Sequence, residues 1–148
     1  MRLTKYKLEM VKEDSCNYGG KDYKIKNPWD VYKALIDVLK LDKQSEEVFV
    51  LICLDTKNKI IGFHEVSRGT IDQSLASPRE VFKRALINNA PKIILAHNHP
   101  SGELEPSNAD KSNIKRMIES GEILDIKVLD NLIIGNKHYF SFKENNLM

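Results

Sequence analysis

Two apolar runs are the feature of this sequence that most limits its possible folds. VFVLICL, residues 48–54, and KIIL, residues 92–95, lack the polar alternation of a half-exposed strand. A strand of this kind needs apolar cover on both of its faces, so each run predicts a strand inside a sheet that helices flank. The expected fold class is therefore α/β or α+β.

Helix signals lie before, between and after these runs. Asn27-Pro28 predicts the start of a first helix, and Ser77-Pro-Arg-Glu80 predicts a second one that begins with a capping box. SNADKSNIKRMIESG, residues 107–121, predicts a third helix, which Gly121 is expected to end in the left-handed conformation. The helices thus alternate with the apolar runs.

The remaining strand signals indicate a mixed sheet. KIIGFHEVS, residues 59–67, is expected to return beside the first run as a second strand. ILDIKVLD, NLIIGN and KHYFSF are expected as short closing strands, the last two joined by a turn at Gly135-Asn136. Hairpins and crossovers are therefore combined, which predicts a mixed β-sheet flanked by helices rather than a doubly wound parallel one.

The 148 residues are the size of one domain, which we expect over residues 28–148. Residues 1–27 are predicted to be an N-terminal extension in which TKYKLEMVKE and DYKIK are candidate edge strands, able to pair with a second chain in a homodimer. No run is long enough to span a membrane and the N-terminus has no signal-peptide pattern, so a cytoplasmic location is expected. The net charge of +2 does not by itself argue for DNA binding.

A candidate metal site follows the second apolar run, in AHNHPSGELEPSNAD, residues 96–110. Residues two apart in a strand point to the same face, so His97 and His99 are expected to project together. Asp110 lies in the first turn of the third predicted helix, and its carboxylate points back towards the helix start. Two histidines and one carboxylate are the ligand number of a catalytic zinc ion, with a fourth position for water.

Two simpler interpretations compete with this one. Ser107-Asn-Ala-Asp110 also matches a capping box, with aspartate in place of glutamate. A pair of histidines in a loop is also more often solvated or structural than metal-binding. The combination of an apolar strand, His-x-His at its end, a turn that begins at Pro100 and a helix that opens Ser-x-x-Asp favours metal binding.

The same residues carry a family resemblance. His97-Asn-His99-Pro followed by Ser107-x-x-Asp110 resembles the JAMM motif of MPN metalloproteases. SRGTIDQSLASPREVFKRAL, AHNHPSGELEPSNAD and DNLIIGNKHYFSF resemble the bacterial RadC family more closely still, over residues 28–145. The resemblance implies a cytidine-deaminase-like fold, with one zinc ion and its bound water held by His97, His99 and Asp110.

Two further roles come from the resemblance. Ser107 matches the family's serine, which is expected to hydrogen-bond near the water, and a glutamate from an earlier strand serves as acid and base. Glu65, in FHEVSRG, is the best match for that glutamate, with Glu103 and Glu105 ranked behind it. Larger RadC proteins carry a helix-hairpin-helix region before this domain, and no such pattern is present in residues 1–27.

The leading functional hypothesis is a zinc-dependent hydrolase that acts on a peptide or isopeptide bond, with Glu65 as general base and Ser107 near the oxyanion. The alternative is a DNA-repair or mobile-element accessory protein that binds nucleic acid or a protein partner and holds a structural metal. A third class, deamination, needs a Cys-x-x-Cys ligand pair, which Cys16 and Cys53 do not form.

Overall fold

The computed structural model describes residues 1–69 and 76–148. Part of the loop GTIDQSLASP, expected from the sequence to line a cleft, lies outside these residues. The described helices and strands follow in chain order: α1 (Pro28–Leu39), a 3₁₀ turn (Leu41–Lys43), β1 (Glu47–Leu54), β2 (Ile60–Gly69), α2 (Pro78–Ile87), β3 (Lys92–Asn98), α3 (Asn108–Ile123), β4 (Lys127–Ile134) and β5 (Tyr139–Ser141).

The five strands form one mixed sheet in the order β2-β1-β3-β4-β5. Only β3 and β4 pair in parallel among these strands, and α3 connects them as a crossover helix. The other three neighbouring pairs are antiparallel. The α+β class and the mixed sheet predicted from the sequence are thus confirmed.

Helices cover both faces of the sheet, as the apolar runs require. On one face, Val81 and Phe82 of α2 and Ile114 and Met117 of α3 pack in one apolar cluster with β1 and β3. On the other face, the apolar residues of α1 pack in a second cluster, which includes Val31, Tyr32 and Leu35. The central strands β1 and β3 are consequently buried almost throughout their length.

The helix starts match their sequence signals. The Asn27 side chain accepts a hydrogen bond from the Asp30 backbone N–H, and Pro28 occupies the first helical position of α1. Ser77 caps α2 through the N–H of Glu80, but the Glu80 side chain does not bond back to the Ser77 N–H, so the predicted capping box is only half formed. None of the helices in the described residues combines the length and the apolarity needed to cross a bilayer.

The N-terminal extension differs from the expectation. Residues 1–26 contain no strand, so the edge strands predicted in TKYKLEMVKE and DYKIK are not formed. The Ile25 N–H instead donates to the carbonyl of Asn58, in the turn between β1 and β2, and the Ile25 side chain is buried. This end of the segment is therefore attached by individual hydrogen bonds and side-chain packing, not by a strand ladder.

The closing strands differ in number from the three short strands predicted. ILDIKVLD and NLII contribute to a single strand, β4, which continues through Asp130 and Asn131. Asp130 is buried within β4, where it accepts hydrogen bonds from the Ser141 hydroxyl and from two backbone N–H groups. Burial nevertheless raises the pKa of Asp130. These bonds explain how the strand tolerates a carboxylate that would otherwise favour a turn.

The end of α3 corrects the expectation for Gly121. The helix continues past this glycine to Ile123, and the left-handed residue is Asp125, with φ of 55°. A Cβ atom at Gly121 would lie 2.4 Å from the carbonyl oxygen of Ile126. Gly121 is therefore needed because the chain returns close to the helix on its way into β4.

Replacing Gly121 with alanine tests this close approach. Alanine favours helix over glycine by about 1 kcal/mol, but the clash with the Ile126 carbonyl should cost more, as overpacking typically costs about 1–3 kcal/mol. We expect a net decrease in the free energy of unfolding, measured by urea denaturation. Gly20→Ala is the control because a Cβ atom at Gly20 would meet no neighbour within 4 Å. Unchanged or increased stability of Gly121→Ala would contradict the explanation.

Candidate metal centre

The register between β1 and β3 determines which side chains meet at the end of the sheet. Phe49 pairs with His97 in this antiparallel ladder, and the two rings stack with centroids 6.0 Å apart. The beginning of β1 therefore lies beside the end of β3. Continued by two residues, the register places Glu47 opposite His99, so that both side chains point to the face covered by α2 and α3.

The two histidines and Asp110 converge as the sequence predicts. The Nε2 atoms of His97 and His99 are 3.1 Å apart. Oδ1 of Asp110 lies 3.2 Å from His97 Nε2, and Oδ2 lies 3.6 Å from His99 Nε2. Two atoms bound to one tetrahedral zinc ion at about 2.0 to 2.1 Å would be about 3.3 Å apart. The observed separations are close to that value.

A backbone carbonyl orients His99. Its Nδ1 lies 2.7 Å from the carbonyl oxygen of Glu103 and donates a hydrogen bond to it, which leaves a lone pair on Nε2. The Gly102 N–H donates to the carbonyl of His99 and closes the turn. For His97, which is fully buried, Nδ1 has no hydrogen-bond partner among the described residues.

The capping interpretation of Ser107 and Asp110 also holds. The Ser107 Oγ accepts from the Asp110 backbone N–H at 3.0 Å, and Asp110 Oδ2 accepts from the Ser107 backbone N–H at 2.8 Å. Capping fixes the rotamer of Asp110, while its other oxygen, Oδ1, faces His97. The capping box and the ligand role are therefore compatible in one side chain.

Asp110 remains ionised although it is only 3% exposed. Burial is the largest influence on this carboxyl and raises its pKa, but the hydrogen bond and charge of His97 and the N–H of Ser107 together outweigh burial. The pKa of Asp110 is lowered to about 2. The site thus contains a permanently charged carboxylate at neutral pH.

Glu65, predicted from the sequence to be the general base, lies away from the two histidines in this structure. Glu65 pairs with Val50, after a bulge that shifts the β1–β2 register, and therefore points to the face covered by α1. Its side chain is about half exposed and forms an ion pair with Arg68, with Oε1 2.7 Å from Nε. Glu65 lies on the opposite face of the sheet from His97.

Glu47 occupies the place that was predicted for Glu65. One oxygen of Glu47 and one ring nitrogen each of His97 and His99 lie within 4.8 Å of one another. The signal that could have identified Glu47 is its position at the start of a strand whose next inward-facing residue, Phe49, stacks on His97. That signal depends on knowing that β1 is the neighbour of β3.

The two glutamates ranked behind Glu65 and the two remaining histidines do not join this group of side chains in the described part of the chain. Glu103 and Glu105 have exposed side chains, and Glu103 contributes its carbonyl to His99. His138 is exposed, and His64 lies beside Asn88 of α2. The structure does not include either histidine in the group formed by Glu47, His97 and His99 within the described residues.

The chemistry of these side chains fits a divalent cation. His99 Nε2 carries a lone pair, and Asp110 and Glu47 contribute carboxylate oxygens that can only accept hydrogen bonds when ionised. Nitrogen and oxygen atoms able to bind a cation thus converge at a largely buried site. A bound cation would satisfy these lone pairs, and the nitrogen and oxygen ligands suit zinc.

Comparison with known proteins agrees with this geometry. The chain matches the family model of the RadC-like JAB domain over residues 25–147. It is 51% identical over 126 residues to a UPF0758 protein of Clostridioides difficile, a match that covers 85% of this chain and 53% of the relative. A UPF0758 protein of Alkaliphilus oremlandii is 43% identical over 141 residues, which cover 95% of this chain and 60% of the relative.

A relative from an archaeon shows the same partial coverage. The UPF0758 protein of Methanosarcina barkeri is 43% identical over 121 residues, 82% of this chain and 52% of its own length. The chain thus spans about half to three fifths of the length of these relatives. By the extent of the family match and by these identities, the chain belongs to the RadC-like JAB domain family.

Proposed function

We propose that this domain is a zinc-dependent hydrolase of amide or isopeptide bonds, with the metal held by His97, His99 and Asp110. The observation that supports the proposal is the convergence of two imidazole nitrogens and two carboxylate oxygens, separated by 3.1 to 3.6 Å, beside the Glu47 carboxylate. Three protein ligands leave one coordination position for water, as in catalytic rather than structural zinc sites.

When bound, zinc would lower the pKa of a coordinated water towards 7 and polarise the substrate carbonyl. Glu47 is placed to take a proton from the attacking water, because its carboxylate lies within one water molecule's reach of the ligand nitrogens. The same carboxylate can then deliver the proton to the leaving amine. Glu47 thus replaces Glu65 as the proposed general base.

Ser107 has a second proposed role beyond capping α3. Its Oγ accepts from the Asp110 N–H, so the hydroxyl proton is not used in that bond. The residue is exposed at the end of the loop that follows the histidines. We assign this hydroxyl to donation towards the negative charge that develops on the substrate oxygen.

The ligand assignment predicts a specific pattern of metal affinity. Wild-type protein, stripped of metal and titrated with zinc against a competing chelator, should bind about one ion per chain. Loss of an orienting partner typically weakens metal binding about 10–100-fold, so loss of a ligand in His97→Ala or Asp110→Ala should weaken it further. His138→Ala is the control because that histidine is exposed. A folded wild-type protein that binds no divalent metal would refute the assignment.

The two glutamates give opposite predictions for catalysis. In zinc-loaded protein, Glu47→Gln should reduce turnover about 10²–10⁴-fold, the usual contribution of a general base, because it retains the shape but cannot accept the proton. Glu65→Gln should retain turnover, since Glu65 lies on the other face of the sheet. The measurement is cleavage of a quenched-fluorescence peptide library and of a synthetic ε-lysyl isopeptide. Loss of activity in Glu65→Gln with retention in Glu47→Gln would reverse our assignment.

A further inference from the structure

Asn98 lies between the two histidine ligands and points away from them. His97 in β3 and His99 directly after it face the side covered by α2 and α3, whereas Asn98 faces the other side of the sheet. Its side chain is 2% exposed and is fully engaged with the backbone that leads into β1. Oδ1 accepts from the Val48 N–H at 2.7 Å, and Nδ2 donates to the Glu46 carbonyl at 2.9 Å and towards the Gln44 carbonyl at 3.4 Å.

These hydrogen bonds hold the backbone on both sides of Glu47. The β1–β3 ladder begins at the pair Phe49 and His97, so Glu47 lies beyond its last paired residue on that side. The Asn98 amide forms hydrogen bonds with the backbone of Glu46 and of Val48, the residues on either side of Glu47. These bonds connect the two strands beyond the end of the backbone ladder. Among the described residues, these contacts tie the start of β1 to the strand that carries both histidines.

The chemistry of the bonds requires an amide at this position. The Val48 N–H needs an acceptor and the Glu46 carbonyl needs a donor, and asparagine supplies both from one planar group. Aspartate would supply only acceptors, and alanine would leave both backbone groups without their partner. The edge of residues 44–48 that faces β2 is held separately, since Glu47 pairs with Gly69 of β2 and Arg68 donates to the Gln44 side chain.

We propose that Asn98 is a positioning residue that sets the distance between the Glu47 carboxylate and the metal ligands. The proposal rests on the proposed function, in which Glu47 is the general base. The tripeptide His97-Asn98-His99 then has two roles, one on each face of the sheet. The histidines bind the metal on one face, and the asparagine aligns the base through the backbone on the other.

A double-mutant cycle tests the proposal with zinc-loaded protein and the peptide and isopeptide substrates named above. Asn98→Ala should reduce kcat at least tenfold when Glu47 is present and less than twofold in the Glu47→Gln background, because the residue acts through Glu47. The zinc affinity of Asn98→Ala should stay within threefold of wild type. An equal loss of kcat in both backgrounds would show a general structural role and overturn the proposal.

A second measurement does not depend on activity. The Val48 amide should exchange its hydrogen at least tenfold faster in Asn98→Ala, whereas the amide of Ile94 in the middle of β3 should keep its protection. Asn131→Ala is the matched control, because this asparagine is also buried in the sheet but makes no side-chain bond to residues 44–48. Unchanged exchange at Val48 in Asn98→Ala would overturn the proposal.

The two measurements separate the failure of this proposal from that of the proposed function. If the wild-type protein cleaves no substrate, or if Glu47→Gln is fully active, the proposed function fails while exchange at Val48 still reports whether Asn98 holds the segment. If Asn98→Ala does not fold, Asn98→Ser takes its place, since a hydroxyl is too short to bridge Glu46 and Val48. The same expected losses apply to Asn98→Ser.

Discussion

The antiparallel register between β1 and β3 is the constraint on which the candidate site depends. Because Phe49 lies opposite His97, the first residue of one central strand is brought beside the last residues of the other. A shift of one residue would turn Glu47 to the α1 face and leave the histidines without a nearby carboxylate from this strand. The apolar residues of β1, buried on both faces, make such a shift costly.

The third proposed ligand depends on a different local structure. Asp110 reaches the histidines because α3 begins at a fixed point, where Ser107 and Asp110 exchange capping hydrogen bonds. The sequence presented capping and metal binding as competing interpretations, but Oδ2 of Asp110 accepts the capping bond while Oδ1 faces His97, so the two interpretations are compatible. An N-terminal helix position also places the charge where the backbone N–H groups stabilise an anion. The helix start thus helps to keep the proposed ligand ionised in a buried site.

The sequence was sufficient for features that depend on local patterns and insufficient for those that depend on pairing. Apolar runs, capping residues and the spacing of His97, His99 and Asp110 are local, and they predicted the layers and the convergence of these side chains. The choice between Glu47 and Glu65 depends on the strand order, on the register and on a β-bulge. None of these three features can be read from a single sequence. The role of Gly121 was predicted wrongly for a similar reason, since the atom that a Cβ at this position would meet first is the Ile126 carbonyl oxygen, which lies outside the helix.

This arrangement would make the proposed metal binding and the proposed proton transfer physically separable. The proposed ligands lie at the end of β3 and in α3, which are joined by a loop in which the Glu103 carbonyl orients His99. That turn packs closely on Gly135, where a Cβ atom would come within 2.7 Å of the Leu104 side chain. Glu47 belongs to neither element and is held by the backbone contacts of β1. Changes at the start of β1 can therefore move the proposed base while leaving the proposed ligands in place, because different parts of the structure hold the two groups.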